Sequence, residues 1–185
     1  QAPRSHYGIG YLKTALPCLK ATPSAVQYVG SKIKGPYATI TMRESSYWPE
    51  RNSNRPVWLL VAAWLKGRGI EPIFLPDTDG QPIKNFRSFP ECIDIDIRMA
   101  LYQGAFINLG ISNGPIALLY ASEAPYLIFR PVTQDCPSTS IEFLESHGIK
   151  KGDKYAGNGK LVWEDDTYDT IIRELERFMM LEEAA

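Results

Sequence analysis

The sequence predicts an α/β domain on a doubly wound, mostly parallel sheet, Rossmann-like and three-layered (α/β/α), with its ligand site at the carboxyl ends of the strands. Three observations carry this expectation. Short β-rich runs (Tyr37–Met42, Ile73–Leu75, Phe106–Ile111, Pro125–Phe129, Leu161–Trp163) alternate with stretches of helical length and apolar spacing. The helical stretches carry start and stop signals, Asn54 before Pro56 and Gly67 at the end of one, Asp94 and Gly104 around another. The chain of 185 residues is 44% hydrophobic, enough to cover both faces of such a sheet.

The elements follow in order. Residues 1–36 read as a linker and a packing helix started by Thr22-Pro23-Ser24, carrying Ala25, Val26, Val29 and Ile33, and ended by Gly35-Pro36; residues 37–185 form the Rossmann-like domain. After the first strand comes a polar loop, Arg43 to Asn54. Ser53 or Asn54 then caps a helix whose core, Val57 to Leu65, is apolar all round and so is expected to be deeply covered, Leu60 and Trp64 included. The loop Pro76-Asp-Thr-Asp-Gly80 follows the second strand. Asp94 and Asp96 open a helix with Ile93, Ile97, Ala100 and Leu101 at helical spacing. Past the third strand, Gly114-Pro115 opens a helix over Ile116–Ser122. A helix over Ser138–His147 follows the fourth strand. The last helix, capped by Asp165 or Asp166, carries Tyr168, Ile171, Ile172, Leu175, Phe178 and Met179 as an apolar stripe. Ile107, Leu109 and Ile128 complete the expected core.

Charge and cysteine usage exclude several functions. With 20 basic and 21 acidic residues the chain lacks the basic excess of a broad nucleic-acid surface. Cys18, Cys92 and Cys136 are far apart, and His6 and His147 are the only histidines, so neither a zinc site nor a disulfide framework is expected. Reduced thiols fit a cytoplasmic protein. The longest apolar run is too short to span a bilayer, and no signal peptide opens the chain. The chain begins at Gln1 without a Met, as a fragment or a processed product does. No GxxxxGK[ST] loop, dinucleotide fingerprint or GxSxG elbow is present; Gly8-Ile-Gly10 follows no strand.

The most informative segment is Phe106-Ile-Asn-Leu-Gly-Ile-Ser-Asn-Gly-Pro115. A strand runs into a tight turn and a helix start, whose unpaired amides suit a phosphate or diphosphate. Ser112 and Asn113 add side-chain donors, and Gly114 lets a ligand approach the backbone; the same residues also serve plain helix initiation. On the same rim, Arg43 or Arg51 can pair with a diphosphate in a bidentate way, and Tyr47 or Trp48 can stack on a flat ring. Beyond the fourth strand, Thr133, Gln134 and Asp135 can read a base or sugar edge, while Asp77 and Asp79 are explained by a turn at Gly80. His147 suits a helix end.

The order of these features, with Ala100-Leu-Tyr-Gln-Gly-Ala-Phe-Ile-Asn-Leu-Gly-Ile-Ser-Asn-Gly-Pro115 and a strand ending Leu-Ile-Phe129, resembles the carboxyl-terminal, donor-binding domain of GT-B glycosyltransferases, the heptosyltransferase-like group in particular, over Tyr37–Met180. In that family an Asp-Ser-Gly-Pro type turn meets the nucleotide-sugar diphosphate. Here Ser112 stands in place of the Asp, Asn113 in place of the Ser, and Ala117 in place of a frequent His. The resemblance implies a nucleotide sugar as substrate rather than a bound cofactor. Arg43, Arg51, Ser112, Asn113, Gly114 and Thr133 would contact it, without metal. The acceptor site, and often the catalytic base, would lie on an amino-terminal domain; no catalytic residue is assigned within this chain. A nucleotide-sugar-binding regulatory module and a nucleotide-sugar epimerase-type enzyme are the competing expectations.

Overall fold

A computed structural model describes residues 18–76, 83–130, 140–146 and 159–183. Its strands are β1 (Tyr37–Thr41), β2 (Glu71–Leu75), β3 (Arg87–Ser88), β4 (Ile107–Ile111), β5 (Tyr126–Phe129) and β6 (Gly159–Val162). They pair in the order β3-β2-β1-β4-β5-β6, every pairing parallel. The helices are α1 (Pro23–Lys32), α2 (Arg55–Lys66), α3 (Ile95–Gly104), α4 (Ala117–Tyr120), α5 (Ile141–Ser146) and α6 (Tyr168–Glu183), with single 3-10 turns at Pro49–Arg51 and Pro90–Ile93. The sheet is doubly wound: the chain builds outward from β1 to β3, then returns to pair β4 against the other side of β1. Sheets of this class bind ligands outside the carboxyl ends of the strands that flank such a reversal.

Strand alternation divides the core. Ala38, Ile40 and Met42 of β1 and its exit, with Ile107, Leu109 and Ile111 of β4, pack under α2 and α6 against Trp58, Val61, Ala62, Leu65, Ile171 and Leu175. The opposite face is covered by α1, α3 and α4 through Ala25, Val29, Ala100, Leu101, Leu119 and Tyr120. On that face Thr39, Thr41 and Asn108 are buried polar residues. Thr39 Oγ1 donates to Asn108 Oδ1 at 2.6 Å, and Asn108 Nδ2 donates to the carbonyls of Tyr102 (2.9 Å) and Pro125 (2.8 Å). Gly110 completes the pattern: a Cβ there would stand 2.6 Å from the Thr41 carbonyl and 2.7 Å from Ile116 Cδ1, so only glycine admits this approach.

Several expectations are corrected. Helix α2 turns one face outward, so Leu60 is 57% exposed, and Trp64 is half-buried with Arg68 stacked 3.5 Å from its ring centroid. Ile97 is also only partly buried, and Ile93 stands in solvent outside α3. Leu101, Ile107, Leu109, Ile128, Ile171 and Leu175 are buried as expected. Neither Ser53 nor Asn54 caps α2 through its side chain. Instead the Asp166 carboxylate, 3% exposed, accepts from Asn54 N and from Trp58 Nε1, both at 2.8 Å. Asp166 is thereby taken from α6, whose first turn is served by Thr167 Oγ1 accepting from Thr170 N at 3.3 Å. Helix α1 is docked in the layer beside α3. Its cap Thr22 donates its backbone N–H to Asp96 Oδ1 at 2.8 Å, and the Ala21 N–H donates to Gln103 Oε1 at 2.8 Å. Among the described residues no helix is long and apolar enough to cross a membrane.

Candidate functional site at the carboxyl edge of the sheet

The loop after β1 lies at the carboxyl edge of the sheet, beside the reversal of strand order. It is held in shape by two arginines and one asparagine. Arg43, 6% exposed, turns its guanidinium inward to the Trp48 carbonyl (2.9 Å), Asn52 Oδ1 (2.6 Å) and the Tyr47 carbonyl. Asn52 Oδ1 also accepts from Ser45 N at 3.0 Å, and Asn52 Nδ2 donates to the Ser45 carbonyl at 3.0 Å. From the end of β5, Arg130 donates to the carbonyls of Glu50 (2.7 Å) and Asn52 (3.0 Å) and lies 3.4 Å from both Asp165 and Asp166. Arg43, expected to pair with a diphosphate, is thus a strut of the loop. The reason is burial: a guanidinium enclosed at this depth must satisfy its donors within the protein.

Two non-glycine residues on this rim take left-handed backbone conformations, Trp48 (φ 56°) and Arg130 (φ 50°). Such conformations cost about 1–3 kcal/mol each and persist only where surrounding contacts impose them. At Trp48 the conformation starts the 3-10 turn Pro49–Arg51. It leaves Tyr47 69% exposed with its ring 5.7 Å from that of Trp48. The same turn carries Arg51, whose Nη2 donates to the Ser112 carbonyl at 3.4 Å.

The β4–α4 turn lies at the same edge. The structure corrects the expected helix start. Helix α4 begins at Ala117 and lasts four residues, and its approach is already bonded: Ile116 N donates to Asn113 Oδ1 at 3.2 Å and Ala117 N to the Gly114 carbonyl at 3.0 Å. Pro115 has no amide hydrogen, so this turn is not an open helix terminus. The Ser112 hydroxyl is engaged by Tyr120, whose own hydroxyl is pushed above its usual pKa by burial. Asn113 Nδ2 is enclosed and has no acceptor. Gly114 is exposed, its φ lies outside the left-handed region, and a Cβ there meets nothing within 4 Å. Thr133, with Gln134, Asp135, Asp77, Asp79 and His147, lies outside the described residues.

The structure therefore brings Arg51 to the turn that holds Ser112, Asn113 and Gly114, and turns the Arg43 guanidinium into its own loop. Sequence reading offered Asp166 as a cap of the last helix and gave Asn52 and Arg130 no part in shaping the loop, although these three residues rigidify it. Arg130 and Asp166 are not marked locally, because their partners lie 78 and 112 residues away, as in Arg130–Asn52 and Asp166–Asn54, whereas Asn52 bonds Arg43 and Ser45 within its own loop. Sequence reading also missed Trp163, just past β6, whose enclosed indole N–H has no acceptor. No cluster of three or more His, Cys, Asp or Glu side chains able to hold a metal occurs among the described residues.

Fold and site together define a Rossmann-like α/β domain with a preformed rim. Comparison with models of protein families, with curated proteins and with solved structures finds no match.

Proposed function

We propose that this chain is the donor-binding domain of a glycosyltransferase, holding a nucleotide sugar across the carboxyl edge of the sheet. The observation that carries the reading is the reach of Arg51 from the β1 loop to the β4–α4 turn, at the point where strand order reverses. A guanidinium at that point favours, by its charge, a diphosphate lying over the reversal. The exposed Tyr47 ring beside Trp48 offers an aromatic surface to a base.

In the reaction an acceptor hydroxyl attacks the anomeric carbon of the sugar, and its proton passes to a base. The bond from that carbon to the diphosphate oxygen breaks, with the electron pair leaving on the nucleoside diphosphate. Arg51 stabilises the charge that accumulates there. The acceptor and the base belong, in this reading, to an amino-terminal partner domain, so the chain alone binds donor without turning it over.

The test is calorimetric titration with ADP, GDP and UDP, their glucose conjugates, and the corresponding nucleosides. A diphosphate ligand at about a hundred times its Kd also raises stability by about 2.7 kcal/mol, visible as a higher melting temperature. Arg51→Gln is expected to weaken diphosphate binding about tenfold or more, about 1.4 kcal/mol, and to leave nucleoside binding unchanged. Equal losses for both ligands would remove Arg51 from phosphate recognition, and no binding by any of these compounds would reject the reading.

A further inference from the structure

Arg98, on the second turn of α3, is 7% exposed. Its Nε donates to the Cys92 carbonyl at 2.9 Å, Nη1 to the Tyr102 hydroxyl at 3.3 Å, and Nη2 to the Pro76 carbonyl at 3.1 Å and to Cys92 Sγ at 3.2 Å. Every one of these partners is an uncharged group. Among the described residues, Asp94 Oδ1 accepts from Asp96 N and Ile97 N, Asp96 accepts from Thr22, and Glu91 Oε1 accepts from the Tyr28 hydroxyl at 3.4 Å. No salt bridge joins Arg98 to a carboxylate among the described residues. A buried charge is normally paired, because desolvation costs several kcal/mol that neutral acceptors only partly offset.

The position of this charge gives it a use. Pro76 directly follows β2, and the Tyr102 hydroxyl lies 3.2 Å from Thr41 Oγ1 at the last residue of β1. One guanidinium thus ties the carboxyl ends of two adjacent strands, one of which bears the loop that carries Arg51. We infer that Arg98 is a positioning residue of the carboxyl edge whose buried charge, without a carboxylate partner among the described residues, makes that edge attractive to a diphosphate. This deepens the donor-domain reading and rests on it for the location of the ligand. The charge acts from beneath the site without touching the ligand, and low-dielectric surroundings extend its field toward the open edge.

Inorganic pyrophosphate is the probe, because it isolates the anion from any base or sugar preference. Wild type, Arg98→Lys and Arg98→Met are titrated with pyrophosphate at low and at high salt, beside their melting curves. Lysine keeps the charge and loses the planar fork, whereas methionine keeps the apolar stem and loses the charge. The expected result is that Arg98→Lys binds pyrophosphate within about threefold of wild type, while Arg98→Met binds about tenfold more weakly and loses part of the salt dependence. Should Arg98→Met fail to fold, Arg98→Gln provides the uncharged comparison while keeping an amide donor. Equal weakening in the lysine and uncharged variants would assign Arg98 a purely structural role and overturn the inference. So would wild-type affinity in the uncharged variant, or a wild type that ignores pyrophosphate. A protein that binds a nucleotide sugar but not pyrophosphate would keep the donor-domain reading and discard this one; binding of pyrophosphate alone, with the lysine rescue, would do the reverse.

Discussion

The two faces of the central strands are chemically different although they are built from the same residues in alternation. Facing α2 and α6, Ala38, Ile40, Ile107, Leu109 and Ile111 are all at most 2% exposed and wholly apolar. Facing α1, α3 and α4, the same strands present Gly110, Thr39 bonded to Asn108, and Thr41 and Asn108 bonded to Tyr102 of α3. The apolar face gains its stability from area removed from water, which is non-directional and tolerates sliding. The polar face is directional: Asn108 and Thr39 satisfy one another in one register only, and Arg98 and Tyr102 extend that register to the strand ends that carry the ligand rim. Both faces bury an apolar cluster, and the polar bonds of the second fix where the rim sits.

The largest expected effect falls on the apolar face. Trp58 is fully buried, its ring 5.8 Å from that of Phe129, and its indole donates to Asp166. Trp58→Ala should cost about 3–5 kcal/mol in urea denaturation. Trp58→Phe should cost less, since Asp166 still receives Asn54 N and Arg130. A loss below about 1 kcal/mol for the alanine variant would mean that this face is loosely packed.

On the polar face the prediction concerns non-additivity. Thr39→Val is nearly isosteric but leaves Asn108 Oδ1 without its donor at 0% exposure, which should cost about 1–3 kcal/mol. Asn108→Leu strands the Thr39 hydroxyl and the Tyr102 carbonyl, while the Pro125 carbonyl keeps its bond from Asn108 N at 3.0 Å. The double variant should be more stable than the sum of the two single losses implies, because both partners of one hydrogen bond are then gone. Strict additivity in a double-mutant cycle would show that the Thr39–Asn108 bond contributes nothing, and the contrast between the faces would lose its basis.

How much of this was legible depends on range. The parallel α/β class followed from alternation, and each long strand lies within a residue or two of its expected place. The two-residue β3 and the strand order were not legible, since pairing is decided by contacts far apart in sequence. Leu60 was misplaced for a related reason: a helix lying on a sheet buries one face whatever the residues on the other, and the run Val57–Leu65 is apolar on both. The site was half legible. Arg51, Ser112, Asn113 and Gly114 stand next to strand ends, where local order places them, but nothing distinguished Arg43 from Arg51. Their separate fates depend on the fold of the loop, which Asn52 and Arg130 impose.

A smaller effect lies at the edge of the apolar face, on α6. Glu174 is 3% exposed and receives Lys160 Nζ at 2.5 Å, Arg177 Nη1 at 3.0 Å and Arg173 Nε at 3.3 Å. Burial pushes its carboxyl pKa up, but Lys160, Arg173 and Arg177 together outweigh burial and hold it below the usual value. With the folded pKa lowered, the unfolded chain binds the proton more readily, so stability rises with pH through that range. The contribution is complete above the ordinary carboxylate pKa of about 4.3 and is lost as pH falls through the folded value. Glu174→Gln should therefore flatten the acid limb of a melting-temperature profile. Its effect at neutral pH should be about 1 kcal/mol or less, since the three cations are partly solvated. An acid limb unchanged by the substitution would assign the pH dependence to other carboxylates.

The smallest expected effect on stability, and the sharpest on the ligand, is at Gly114. A side chain there meets nothing within 4 Å and the backbone angle is ordinary, so neither packing nor conformation requires glycine. This contrasts with Gly110 four residues earlier, where a Cβ would collide with the Thr41 carbonyl. Gly114→Val should leave folding stability within about 0.5 kcal/mol of wild type, as exposed sites generally do. A nucleoside diphosphate brought by Arg51 against the β4–α4 turn would, however, meet the added branched side chain. Loss of diphosphate affinity in a protein with an unchanged melting curve would place the ligand against this turn. A large fall in melting temperature would instead show that the turn needs glycine for its own folding. Undiminished affinity in a stable Gly114→Val protein would move the diphosphate away from the turn and leave Arg51 to hold it from the β1 loop.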